Sequence, residues 1–149
     1  MSDSNVNVMV PHPRLTTFNI TSLSSNPSSG PSCRRWQRVL RTLEALLSRC
    51  DILCLQEVKL GRYDQVALSN VFRSHKIYYN NLKLGRAGTM ILVSAKFASR
   101  FDISETPLPA RAQGRVQALF FKSKKFPNVP KASFNLINVY LTSGEPQSW

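Results

Sequence analysis

The chemistry of this chain gathers at Glu57, a carboxylate set directly behind the mostly apolar run Ile52 to Gln56. Five such residues match the length of a buried strand, and a strand buried on both faces cannot hold an unpaired charge. Glu57 is therefore expected where the strand emerges, at the edge where α/β folds gather their ligands. A carboxylate in that place suits a hard divalent cation, which takes oxygen ligands. A surface ion pair with Lys59 or an arginine fits the same stretch equally well, so the surrounding elements must decide.

Those elements begin with Arg14 to Ile20, whose β-branched and aromatic residues mark a first strand with Asn19 at its exit. Thr21 to Ser32 is mostly Ser, Pro and Gly, the composition of a loop; beside a strand exit it reads as a binding loop or as a plain insertion. In Arg34 to Arg49, Trp36, Val39, Leu40, Leu43, Leu46 and Leu47 recur at three- and four-residue spacings, which predicts a helix with Ser32 as its N-cap. Arg35, Arg38, Arg41, Glu44 and Arg49 form its solvated face. Strand, helix and strand make a crossover unit, which sets its two strands parallel in one sheet and brings Asn19 and Glu57 to the same edge.

Downstream, the basic loop Val58 to Tyr63 leads to a short helix through Phe72, capped by Asp64 and burying Val66, Leu68 or Val71. His75 to Asn80 and Thr89 to Ser94 read as strands, joined by a turn that carries Lys83 and Arg86 and ends at Gly88. Phe101 to Leu108 and Arg115 to Lys122 read as a hairpin, Lys122 to Lys131 as a basic turn, and Phe134 to Leu141 as the last strand. His12 and His75 read as surface or turn residues away from any catalytic position. There is no internal repeat and no domain boundary.

Composition narrows the partner. The chain has 149 residues, 42% of them hydrophobic, enough for one domain with a core, and no apolar run reaches the roughly 18 residues of a membrane span. Twenty Lys and Arg against eight Asp and Glu give a net charge of +12, spread from Arg14 to Lys131, which attracts a polyanion; nucleic acid leads, with no membrane and no obligate protein partner. Cys33, Cys50 and Cys54 are odd in number and lack C-x-x-C spacing, so they read as reduced thiols of an intracellular protein, Cys50 and Cys54 as small buried residues. The first residues lack the apolar core of a signal peptide and read as a flexible leader, residues 1–13.

With Asn19 after a strand, Glu57 in LQEVK, the GTMILVS strand and NVY at Asn138 to Tyr140, the chain resembles the endonuclease/exonuclease/phosphatase superfamily from about Leu15 to Ser143. Its nearest branch resembles the apurinic-type endonucleases of LINE-type retrotransposons. The resemblance implies an α/β fold, an incomplete two-sheet sandwich. It makes Glu57 the ligand of a catalytic Mg²⁺, with Mn²⁺ as the alternative ion, weakly held. It further implies that Asn19 supports the metal and the nucleophile, that Tyr140 hydrogen-bonds the scissile phosphate, and that Asn138, matching the N-x-Y pattern, belongs with the substrate contacts. Cleavage of a phosphodiester needs such groups, because a hard cation and donors aimed at the developing charge stabilise the pentavalent transition state.

The family's later Asp-x-Asn and terminal Asp-His pairs have no counterpart here. Residues 14–149 are therefore expected to be the amino-terminal part of such a domain, cut before its catalytic set is complete. The functional expectation is a fragment of a Mg²⁺-dependent DNA endonuclease, retroelement-derived, nuclear and inactive alone. The alternatives are a phosphoinositide or nucleotide phosphatase of the same superfamily and a non-enzymatic basic domain that binds nucleic acid. Uncovered apolar strand faces are expected to make the isolated chain aggregation-prone.

Overall fold

The computed structural model describes residues 12–21, 34–60, 62–81 and 87–141. Its elements are β1 (Leu15–Asn19), α1 (Arg34–Leu47), β2 (Ile52–Gln56), α2 (Arg62–Val71), β3 (His75–Asn80), β4 (Thr89–Ser94), α3 (Ala95–Ala98), β5 (Phe101–Glu105), β6 (Val116–Ser123) and β7 (Phe134–Val139). The expected leader up to Pro11, the loop from Ser22 with its N-cap Ser32, Cys33, the turn residues Lys83 and Arg86, and the chain after Leu141 lie outside the described residues.

Side-chain alternation along β2 and β4 determines the layers. Leu53, Leu55, Met90 and Leu92 pack on one face of their sheet with Trp36, Leu43 and Leu47 of α1 and with Leu68 and Phe72. Ile52, Cys54, Ile91 and Val93 point the other way, against Leu119, Phe121 and Leu136 of a second sheet. Both faces of β2 and β4 are thus buried, which explains the near-continuous apolar runs. The first sheet has the order β1-β2-β4-β3 and the second β5-β6-β7, an α/β sandwich of four and three strands.

β1 pairs in parallel with β2, from Leu15 opposite Ile52 to Asn19 opposite Gln56, as the crossover through α1 requires. β4 runs antiparallel to β2 and β3, so β1, β2 and β3 end at the pole where β4 begins. We call this the exit pole. At the far pole, Arg14 donates to the Asp51 carboxylate through its backbone N–H at 2.9 Å and through its guanidinium, tying the start of β1 to that of β2. Phe121 and Phe134 stack with ring centroids 4.5 Å apart beside Phe97 and Phe101, so aromatic rings fill the inter-sheet space there. Cys50 and Cys54 are free buried thiols; burial pushes both upward, Cys54 to about 12.

Several boundaries differ from the sequence expectation. α1 stops at Leu47 instead of Arg49, because Arg49 N–H turns to the Leu46 carbonyl at 3.0 Å before the chain enters β2. β5 stops at Glu105, short of Leu108, since Pro107 and Pro109 have no N–H to continue the ladder. β6 and β7 run Val116–Ser123 and Phe134–Val139, shifted or shortened at their ends. Asp64 does not cap α2: the helix begins at Arg62, and Asp64 is buried within its first turn, near the positive end of the helix dipole. Leu68 is buried there while Val66 and Val71 are exposed. The four-residue α3 was not expected at all, being too short for periodicity to show; Ser94 caps it by accepting from Phe97 N–H at 3.3 Å.

β7 is an edge strand, and Ile137, Val139 and Leu141 are 61%, 45% and 68% exposed. An edge that offers apolar side chains and open ladder groups templates association. Ile137→Lys is expected to reduce light scattering on heating while changing stability by less than about 1 kcal/mol, as an exposed substitution does. Scattering and denaturant midpoints measured together check both halves.

Candidate active site

Three chain segments meet at the exit pole. β1 ends at Asn19, β2 hands over to Glu57, and β7 hands over to Tyr140. Ile20 N–H bonds the Gln56 carbonyl at 3.1 Å, which holds the β1 and β2 exits together. The backbone then leaves strand geometry abruptly. Thr21, Glu57, Lys59 and Ala87 all have positive φ, +62°, +57°, +46° and +37°, and all four flank strand ends at this pole. Left-handed backbone is uncommon for residues with a Cβ and concentrates where a fold constrains a site. Local bonds hold two of these turns: Thr21 N–H donates to Asn19 Oδ1 at 3.0 Å, and Val58 N–H donates to the Gly88 carbonyl at 3.1 Å.

The sharp turn at Glu57 brings its carboxylate to two donors. Tyr140 OH donates to Oε1 at 2.8 Å and Asn19 Nδ2 to the same oxygen at 3.4 Å. The Tyr140 hydroxyl first, then the Asn19 amide and the Lys59 charge, hold the Glu57 carboxyl below its ordinary range, so it is anionic at neutral pH. Lys59 Nζ stands 4.0 Å from Oε2, at the limit of an ion pair and weaker than the two hydrogen bonds to Oε1. The ion-pair reading of Glu57 is thus present in part, through Lys59, and the carboxylate is organised by Tyr140 and Asn19.

Among the described residues, no three His, Cys, Asp or Glu side chains group to hold a metal ion. A hydrated hard cation such as Mg²⁺ would fit this donor set, with Glu57 supplying the charge and the ion keeping most of its waters. His75 opens β3 at the far pole, half-buried and edge-on to Phe72; burial lowers its pKa. It begins a strand instead of standing in a turn. His12 precedes β1, also at the far end, so neither histidine reaches Glu57.

Asn138 departs from expectation. Its side chain is 3% exposed, and Nδ2 donates to the Leu55 carbonyl at 3.0 Å and the Met90 carbonyl at 3.4 Å. Its Oδ1 accepts from Gln56 Nε2 at 2.6 Å, which also donates to Thr17 Oγ1 at 2.8 Å. With both amide hydrogens committed to backbone carbonyls, Asn138 has a structural position in place of the expected substrate contact. Gln56 was missed, although a signal existed: it occupies the inward parity shared by Ile52 and Cys54, where a strand-end amide needs a buried partner.

The fold defines a class, the two-sheet α/β sandwiches. The profile of the Endonuclease/Exonuclease/phosphatase family matches residues 16–135, most of the chain, and the chain belongs to that family. No curated protein matches it. Among solved structures, it is similar to the AP endonuclease LMAP from Leishmania major, with 21% identity and a TM-score of 0.61 over 89% of this chain and 41% of that one. It is also similar to the human Nocturnin catalytic domain with bound sulfate, with 19% identity and a TM-score of 0.54 over 89% of this chain and 51% of that one. The chain thus spans about half the length of these structures or less.

Two outcomes check the geometry. Tyr140→Phe removes the main donor to the carboxylate anion, so Glu57 should titrate at higher pH than in the parent, read from its carboxyl carbon by NMR. Gly88 has φ +150°, and a Cβ there would stand 2.6 Å from Asn81 Oδ1. Gly88→Ala is expected to cost about 1–3 kcal/mol of stability, seen as a lower urea midpoint.

Proposed function

We propose that this chain carries the metal-binding carboxylate of a Mg²⁺-dependent DNA endonuclease of retroelement origin, related to the apurinic-type endonucleases of LINE elements. The observation that carries the reading is the anionic Glu57, organised by Tyr140 and Asn19 at the strand exits of a family member with a net charge of +12. In this reading Glu57 holds Mg²⁺ or Mn²⁺, which supplies Lewis-acid charge to a phosphate oxygen. Tyr140 donates its one hydroxyl hydrogen to Glu57 in the free chain and turns it to the scissile phosphate when substrate binds, while Asn19 orients the carboxylate. Asn138 acts only through position, by fixing the exits of β2 and β7.

The reading assigns neither a base for water nor a partner for the leaving group to the described residues around Glu57. Reduced thiols and a DNA substrate favour a nuclear setting. The strong positive charge favours nucleic acid over inositol phosphates as the substrate.

The test uses a fluorescent abasic duplex and an inositol phosphate, each with and without Mg²⁺. The chain alone should bind the duplex with an affinity that falls steeply with salt, and cleave neither substrate. Glu57→Gln should abolish the chemical-shift response to Mg²⁺ while leaving duplex affinity within about twofold, because basic residues carry that term. Mg²⁺-dependent nicking by this chain alone would refute the expectation that it does not cleave. Release of phosphate from the inositol substrate would move the assignment to a phosphatase.

A further inference from the structure

Among the described residues, a cluster of cations stands at the opposite end of the sheets from Glu57. At the far pole, α3, the start of β5 and the β6–β7 connection carry Lys96, Arg100, Lys122, Lys124, Lys125 and Lys131, all exposed, against Asp102 alone. Lys124 Nζ already stands 3.9 Å from that carboxylate. The eight residues of β6 separate the two poles, roughly 25 Å at the usual rise per residue. A polyanion drawn by the far pole therefore does not lie on Glu57.

Part of this surface is concave and braced. Arg100, Lys124, Lys125 and Phe126 line a cleft of about 570 Å³ together with Ser99. Lys124 N–H bonds the Arg100 carbonyl at 3.0 Å, Phe126 N–H bonds Ser123 Oγ at 3.1 Å, and Ser123 N–H bonds Ser133 Oγ at 3.1 Å. Three cations thus sit on a hydrogen-bonded frame with spacing set before any ligand arrives, which lowers the ordering cost of binding. Lys125 Nζ lies 5.3 Å from the centroid of the half-exposed Phe126 ring, so charge and an aromatic face occur together.

We propose that this far-pole cleft, apart from the Glu57 site, binds a segment of single-stranded nucleic acid. Phosphates along the strand meet Arg100, Lys124 and Lys125, and an unpaired base stacks on Phe126, the combination by which single strands are held without sequence preference. A duplex keeps its bases inside and gains only the charge term. An anionic membrane gains little beyond charge: the exposed large hydrophobic side chains among the described residues lie outside this cluster, which leaves only the half-exposed Phe126 to insert. The inference does not depend on the endonuclease reading, since it uses none of Asn19, Glu57 or Tyr140.

Fluorescence anisotropy with a labelled oligothymidylate, the same-length duplex and phosphatidylserine vesicles tests it. Lys124→Glu with Lys125→Glu should weaken oligothymidylate binding by about tenfold or more and reduce the log–log salt slope by about 1.4, two contacts at the single-strand value. Phe126→Ala should weaken the single strand at least fivefold more than the duplex. Because Phe126 is half-buried, the lysine pair, on the exposed surface, stands as the variant that disturbs the fold least. Unchanged affinity in that double variant, equal losses for duplex and single strand in Phe126→Ala, or tighter binding to vesicles than to oligothymidylate would each overturn the proposal.

Discussion

The rest of the structure depends on one buried amide. Asn138 reaches from β7 across to the backbone carbonyls of β2 and β4, and Gln56 reaches back to it, so the two sheets are joined by directional bonds at the end where apolar contact gives way to solvent. Apolar layers alone would allow the sheets to slide, since burial has no preferred register. Carbonyls left unpaired by such a slide would cost roughly 1–3 kcal/mol each. The amide therefore converts a tolerant interface into a single alignment. Glu57 follows Gln56 directly, and Tyr140 lies two residues beyond Asn138, so the carboxylate and the hydroxyl that steadies it inherit that alignment.

The two poles use this frame differently. At the exit pole a polar layer of Thr17, Gln56 and Asn138 underlies the turn at Glu57, and the backbone is held in left-handed turns. At the far pole the inter-sheet space is filled by Phe97, Phe101, Phe121 and Phe134, and charge is displayed outside on short connections. Rigid aromatic contact at one end and hydrogen-bonded amides at the other leave strand exits that can change chemistry without disturbing the core.

What the sequence made legible follows the range of each interaction. α1 and β2 announce themselves because their patterns are local: three- and four-residue recurrence in one, a short apolar run in the other. The meeting of Asn19 with Glu57 was also accessible, since a crossover through one helix has only one usual hand and direction. The role of Asn138 was not, because its partners are carbonyls of strands far off in the sequence, and any residue type offers a carbonyl. The place of Asp64 shows a smaller failure: a capping residue and a first-turn acid have the same composition and differ only in where the first helical turn closes. α3 was invisible for lack of length, and the end of β5 was misjudged although its prolines were in view.

The Tyr140 to Glu57 bond joins residues 83 positions apart and lies between strands of different sheets. Non-local contacts of this kind form slowly and late, after the entropy of a long loop has been overcome. The carboxylate is made early, within the local unit of β1, α1 and β2, but it gains its hydroxyl partner only when the last strand docks. During synthesis, then, the emerging chain carries an unorganised acid for most of its length. The assembled site reports that both sheets have closed, and any cation waiting on Tyr140 waits on the completed fold.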